Sequence, residues 1–276
     1  MAITAGDVNK LRQMTGAGMM DCKNALVEAN GDFDIAIDIL RKKGQKIAAK
    51  RADRSSTEGR VVAKTNADHT FAAVVVVGCE TDFVGKNADF VAFAETIIDA
   101  AMANKVQSLD ELKTLKINGI TVDEMIMEMT GKTGEKVEIP AYNCIQDTAV
   151  AAYNHNGNRL ATIVGLNKSS EAIWEAGHNV AMQIAAMNPI SLNADSVPQE
   201  TIEHELEINR EIVRQEGKPE NMVEQIAKGK LNKFFKENTL LSQDYIKDNK
   251  LTVADYLKSI EADLTATGFY RLQLGA

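Results

Sequence analysis

His69 to Cys79 reads His-Thr-Phe-Ala-Ala-Val-Val-Val-Val-Gly-Cys, a stretch with no formal charge and four consecutive valines. In a strand, successive side chains point to opposite sides, so this run cannot offer one polar and one apolar face. It has to be buried on both faces, and the rest of the chain has to supply the cover. Arg60–Thr65 and the turn at Asn66-Ala67-Asp68 make it the second strand of a β-hairpin. Asn87 to Met102 then switches to helical spacing, with Phe90, Phe93, Ala94, Ile97, Ile98 and Ala101 on one side.

The arrangement has a weaker echo. Thr148–Tyr153, a turn at Asn156-Gly157, Arg159–Leu166 and a helix from about Ser170 to Met187 repeat the strand-strand-helix order. Between the two units, Thr121 and Glu124 cap a short helix carrying Met125 and Met129. Pro198 to Glu216 and Pro219 to Asn238 read as two amphipathic helices joined at Gly217-Lys218-Pro219, each roughly 30 Å long. Their narrow apolar stripe is Ile202, Leu206 and Val213 against Val223, Ile226, Leu231 and Phe234. That suits a projecting helical hairpin, which could pair with a second copy, with a partner, or with nothing. Val253, Tyr256, Leu257 and Ile260 mark a last helix, and Phe269 to Leu274 alternates like a strand returning to a sheet.

Ahead of all this lies a compact three-helix unit. Thr4 with Asp7 begins a helix carrying Val8, Leu11 and Met14 up to Gly16; Cys22, Ala25, Leu26 and Ala29 share a face of the second, ended by Asn30-Gly31. Asp32 caps a third, with Ile35, Ala36, Ile39 and Leu40 as its stripe and Lys43-Gly44 as its end. The fold class expected is α+β, with two related α/β subdomains built on antiparallel sheets. Residues 1–52 form the helical unit with a basic linker, 53–140 a first core unit, 141–190 with 239–276 a second, and 191–238 the arm.

Formal net charge is −8, so the long-range field repels phosphate backbones. From Arg41 to Arg54 seven basic residues face the single acid Asp53, without interleaved aromatics, which reads as a solvated helix end and linker before an RNA-binding strip. No direct nucleic-acid partner is expected. Cys22, Cys79 and Cys144 are far apart and odd in number, so they define neither a disulfide framework nor a metal motif. With no signal peptide and no membrane-length apolar window, a cytoplasmic protein without a membrane partner is expected.

His69, His155, His178 and His204 are isolated, and Gly16-Ala17-Gly18 lacks the spacing and lysine-hydroxyl ending of a phosphate cradle. Glu80 and Asp82 could hold a metal or supply an acid and a base, but no third hydrophilic ligand lies near them. No catalytic residue, metal site or cofactor is therefore expected. Asp82 beside Phe83 also suits a wedge whose ring enters another protein's pocket; equally, Phe83 could tuck under its own helix. Met19 and Met20, being adjacent, cannot both point inward, and Arg12 and Lys23 flank them. That mixture suits a protein contact.

Met-Thr-Gly-Ala-Gly-Met-Met-Asp-Cys-Lys at 14–23, Ala-Asn-Gly-Asp at 29–32 and Thr-Asp-Phe-Val at 81–84 resemble the two signatures of bacterial translation elongation factor Ts. The resemblance covers essentially the whole chain. It implies a ubiquitin-associated-type (UBA-like) amino-terminal domain, a two-part core and a coiled-coil arm. It also implies guanine-nucleotide exchange on elongation factor Tu, with Thr81, Asp82, Phe83 and Val84 dislodging that partner's magnesium. Arg12, Met19, Met20 and Lys23 would grip the same partner domain, and His155, Gly157 and Arg159 a more distant one. Glu80 and Gly85 depart from the glutamine and alanine commoner at these places, and the extra carboxy-terminal helix of some members is not expected after Ala276. Two rival readings remain: a scaffold resting on the first forty-five residues, and a metal-dependent hydrolase built on Glu80 and Asp82.

Overall fold

A computed structural model describes residues 3–276. Thr4 and Asp7 form a reciprocal capping box at the start of α1 (Ala5–Thr15), and Gly16 closes that helix in the left-handed conformation, φ 67°. α2 (Met19–Glu28) buries Cys22, Ala25 and Leu26, and Asn30 and Gly31 both take positive φ beyond it. Asp32 caps α3 (Phe33–Lys50) by accepting from the Ile35 N–H.

Three expectations change here. α3 does not stop at Gly44 but runs on to Lys50, and Gly44 is buried where a Cβ would overlap the Met127 carbonyl oxygen. The glycine serves the close approach of two backbones, not termination. Ile35 is exposed, because Phe33, Ala36, Ile37 and Leu40 form the inward stripe in its place. Met14 is exposed too. Thr15, donating to the Leu11 carbonyl at 2.8 Å and lying beside Cys22, takes the end of that face.

β1 (Glu58–Thr65) and β2 (Phe71–Cys79) form the expected hairpin, with every residue of β2 buried. α4 (Asp82–Gly85) is a single turn, followed by α5 (Ala88–Asn104), α6 (Leu109–Thr114), a small hairpin of β3 (Lys116–Ile117) and β4 (Ile120–Thr121), and α7 (Val122–Thr133) with its Thr121–Glu124 capping box. β5 (Glu138–Gln146) completes the first sheet in the order β1-β2-β5. The boundary expected at 140/141 falls inside this strand, which pairs with β2 from Gln146 to Glu138. Pro140 is tolerated because β5 lies at the sheet edge.

β6 (Ala149–Asn154), β7 (Leu160–Leu166) and α8 (Glu171–Met187) give the second strand-strand-helix unit. α9 (Gln199–Gln215) and α10 (Glu220–Asn238) form the helical hairpin, burying Val213, Val223, Ala227 and Leu231 against each other. A short hairpin of β8 (Asp244–Tyr245) and β9 (Asp248–Thr252) precedes α11 (Val253–Ile260), and β10 (Ala266–Gln273) pairs with β7, giving the order β10-β7-β6.

The two sheets face each other. Val61, Ala63, Ala72, Val74 and Val76 of the first meet Val150, Ala161 and Ile163 of the second in one buried layer. The alternate side chains of β2, Phe71, Ala73, Val75 and Val77, turn the other way onto Phe90, Ala94, Ile97 and Ile98 of α5. Val164 and Leu166 meet α8 through Ile173, Val180 and Ile184. Helix, sheet, sheet and helix stack in that order, which gives β2 its two covers. Among the described residues no helix is long and apolar enough to cross a membrane.

Candidate functional site

β2 delivers the chain into α4 through Glu80 and Thr81. Thr81 caps α4, its hydroxyl accepting from the Val84 N–H at 3.4 Å. Val84 packs on the first core while Gly85 is buried, where a Cβ would come within 3.0 Å of the Gly59 nitrogen. With those two residues turned inward, Phe83 is left pointing out at 84 % exposure. Of the two arrangements open to Phe83, the ring is presented and not tucked away. Asp82 beside it is exposed and paired with Lys86 at 2.6 Å, and the hydrogen bond from Lys86 holds its carboxyl below the usual range.

Glu80 points elsewhere. Its carboxylate accepts from Arg51 at 2.6 and 2.8 Å and from the Lys136 N–H at 2.6 Å, and only 13 % of its side chain is exposed. Burial alone would raise its pKa; the Lys136 amide and Arg51 outweigh that, and the net shift is downward. Glu80 and Asp82 thus serve separate partners. Among the described residues no three His, Cys, Asp or Glu side chains converge as a metal ion would require.

A cleft of about 460 Å³ joins α4 to the amino-terminal helices, lined by Arg12, Gly16 and Gly18 on one side and Phe83, Val84 and Asn87 on the other. Lys132 also lines it. The Lys132 ammonium pairs with Asp89 at 2.7 Å, and its stem lies over Gly16, where a Cβ would meet the Nζ at 2.7 Å. Met19 and Met20, at the start of α2, are 53 % and 64 % exposed, and Arg12 and Lys23 are exposed with them. Both methionines therefore face outward, together with Met14. Methionine is suited to such a surface because its unbranched thioether adapts to a partner's contours.

The third expected group lies on the β6–β7 turn. Asn158 N–H donates to the His155 carbonyl at 2.9 Å, and Gly157 supplies the positive φ of 84° that the turn requires. The His155 ring meets the Tyr153 hydroxyl at 3.1 Å. Arg159 pairs with Glu58 and donates to the Thr57 carbonyl at 3.3 Å. Because Glu58 adjoins Gly59, which packs on Gly85, Arg159 sits beside the same end of β1 that supports α4. His155, Gly157 and Arg159 are all exposed.

Several residues that shape this region carried no readable signal in the sequence. Glu135, in the link between α7 and β5, accepts from the Thr81 N–H at 3.0 Å and from its hydroxyl at 2.6 Å. Arg51, Lys132 and Lys136 reach the site from other parts of the fold, at separations no local pattern reports.

The sequence model of a family described as Elongation factor TS matches residues 80–276. Elongation factor Ts of Flavobacterium psychrophilum is 53 % identical over 273 residues, covering 99 % of both chains. Elongation factor Ts of Christiangramia forsetii is 52 % identical over 273 residues, with the same coverage. Elongation factor Ts of Amoebophilus asiaticus is 53 % identical over 277 residues, covering 100 % of both. The relatives extend the similarity across the amino-terminal helices and the β1–β2 hairpin, which precede the part matched by the family model.

Proposed function

The chain belongs to the elongation factor Ts family, and on that premise we propose that it is a guanine-nucleotide exchange factor for elongation factor Tu in the cytoplasm. It acts by displacement and not by catalysis of a bond change. The observation that carries this reading is the solvent-facing phenyl ring of Phe83 on a turn anchored by the partly buried Val84 and the buried Gly85. A ring presented in this way suits insertion into a pocket on another protein. Arg12, Met19, Met20 and Lys23 hold the partner on the other side of the cleft, and His155, Gly157 and Arg159 touch a second part of it. Thr81, Asp82, Phe83 and Val84 displace the partner's magnesium.

Magnesium neutralises much of a nucleotide's phosphate charge, so its loss lowers nucleotide affinity. By linkage, binding the empty GTPase better than the GDP-bound one weakens GDP binding by the same factor. Within this reading α1–α3 form a UBA-like docking unit with a basic linker, and the core divides at the facing sheets, with the first unit extended through β5 to Gln146. Residues 191–238 act as a coiled-coil arm. Ile208, Ile212 and Met222 remain exposed along that arm, which supports its contact with the partner or with a second copy. The reading includes no nucleic-acid or membrane partner and no cofactor.

The test is stopped-flow release of a fluorescent GDP analogue from elongation factor Tu in excess unlabelled GDP. The chain should accelerate release, saturating with its concentration. Phe83→Ala should retain much of the binding and lose roughly thirtyfold of the acceleration, the scale of a buried aromatic anchor. Wild-type behaviour of that variant would sink the wedge, and absence of any acceleration by folded wild type would favour a scaffold.

A further inference from the structure

α4 is a single turn of four residues, too short to hold its own geometry, since helix nucleation is unfavourable without outside support. Yet each polar backbone and side-chain group of Thr81 is engaged. Its N–H and hydroxyl donate to the two oxygens of Glu135, at 3.0 and 2.6 Å. Its carbonyl accepts from the Gly85 N–H at 3.1 Å and from the Cys79 thiol at 3.2 Å. Burial pushes that thiol up to about 12, which keeps it a neutral donor. The next residue back repeats the pattern: Glu80 accepts from the N–H of Lys136, the neighbour of Glu135. Two consecutive residues before α4 are thereby locked to two consecutive residues after α7.

From this lock we infer that Glu135 is a positioning residue for Phe83, fixing α4 in the geometry that docks and so removing the ordering cost of insertion. The inference rests on the exchange reading and adds to it a residue remote in sequence from the loop. Flexible docking segments lose part of their contact energy in becoming ordered; a preset one does not. Both hydrogen bonds that the Glu135 carboxylate accepts come from Thr81, so its hold on α4 is exerted through that residue.

Two variants test it. Glu135→Ala removes both acceptors. Glu135→Gln keeps an amide oxygen for the Thr81 N–H and an amide N–H₂ that donates to the Thr81 hydroxyl. In the GDP-release assay Glu135→Ala should lower the saturating rate about tenfold, the scale of one lost hydrogen bond to a charged group, with half-saturation changed much less. Glu135→Gln should restore most of it. Amide hydrogen exchange, which needs no partner, should speed about tenfold at Val84 and Gly85 in Glu135→Ala while β2 and α5 stay unchanged. Unchanged exchange at α4 would overturn the anchor whatever the assay shows, and a loosened α4 with wild-type GDP release would overturn its positioning role. Failure of wild type to release GDP would refute the exchange reading, leaving the hydrogen-exchange result to judge the anchor by itself.

Discussion

Phe83 shows how an apolar residue can be forced outward by its neighbours. Val84 belongs to the core, and Gly85 lies so close to Gly59 that no room is left for a larger group. The sequence shows an aromatic after a carboxylate, but which of Phe83 and Val84 turns inward depends on contacts with β1. That is why the composition of the loop was legible and its orientation was not. Met19 and Met20 were easier, since adjacency in a helix already requires that one be exposed. Glu80 carries a pH prediction. Its pKa is depressed below the ordinary 4.5, so the stability it contributes is complete above that value and is lost as pH falls through the lower folded value. Urea midpoints of wild type and Glu80→Gln should therefore converge on acidification from about pH 6 to about pH 3. A constant difference across that range would show that the Arg51 and Lys136 contacts add no pH-linked stability.

At the scale of elements, caps were the most readable feature and long-range pairing the least. Thr4, Asp32 and Thr121 each accept a hydrogen bond from the third residue into a helix, as their spacing indicates. β5 escaped the sequence reading because Pro140 and the mixed pattern around it resemble a loop, and only pairing with β2 makes it a strand. Gly44 escaped for the opposite reason: glycine after lysine looks like a helix end, yet here α3 and α7 cross at Gly44 and Gly131 with their backbones in near contact. Gly44→Ala tests that crossing. The obstacle is a carbonyl oxygen, which cannot rotate away like a side chain, so the cost should be about 1–3 kcal/mol of overpacking. The expected result is a lower urea midpoint with faster amide exchange in α1–α3. A variant as stable as wild type would mean that the helices slide apart freely, and the Arg41–Glu128 ion pair would carry no geometric constraint.

For the whole molecule, the repeat of strand, strand and helix invites a picture of two independent units, but the facing sheets argue otherwise. Val61 and Val74 share one apolar layer with Ile163 and Val150, and the seam is also closed by hydrogen bonds. Val61 N–H donates to the Asn158 carbonyl at 2.7 Å, and the Asn154 side chain both accepts from the Ala63 N–H and donates to its carbonyl, at 2.8 and 2.9 Å. At the other end His69, in the β1–β2 turn, stacks on Trp174 of α8 with ring centroids 4.3 Å apart. Neither sheet can lose its partner without exposing the layer between them, so the two should open as one cooperative unit. Ile163→Ala, a cavity in β7 on the face turned to the first sheet, should cost about 2–5 kcal/mol. Native-state hydrogen exchange should then show protection falling by the same amount in β2 as in β7. Fluorescence of Trp174, the one tryptophan of the chain, should follow the same urea curve as circular dichroism. If β2 kept its protection while β7 lost it, the sheets would be separate folding units. The β1 edge that supports both Gly85 and Arg159 would then not be a rigid base, and Phe83 and the β6–β7 turn would reach a partner independently. Common loss would instead mean that the geometry between these two contact points is set by the same buried layer that β2 requires on its inner face.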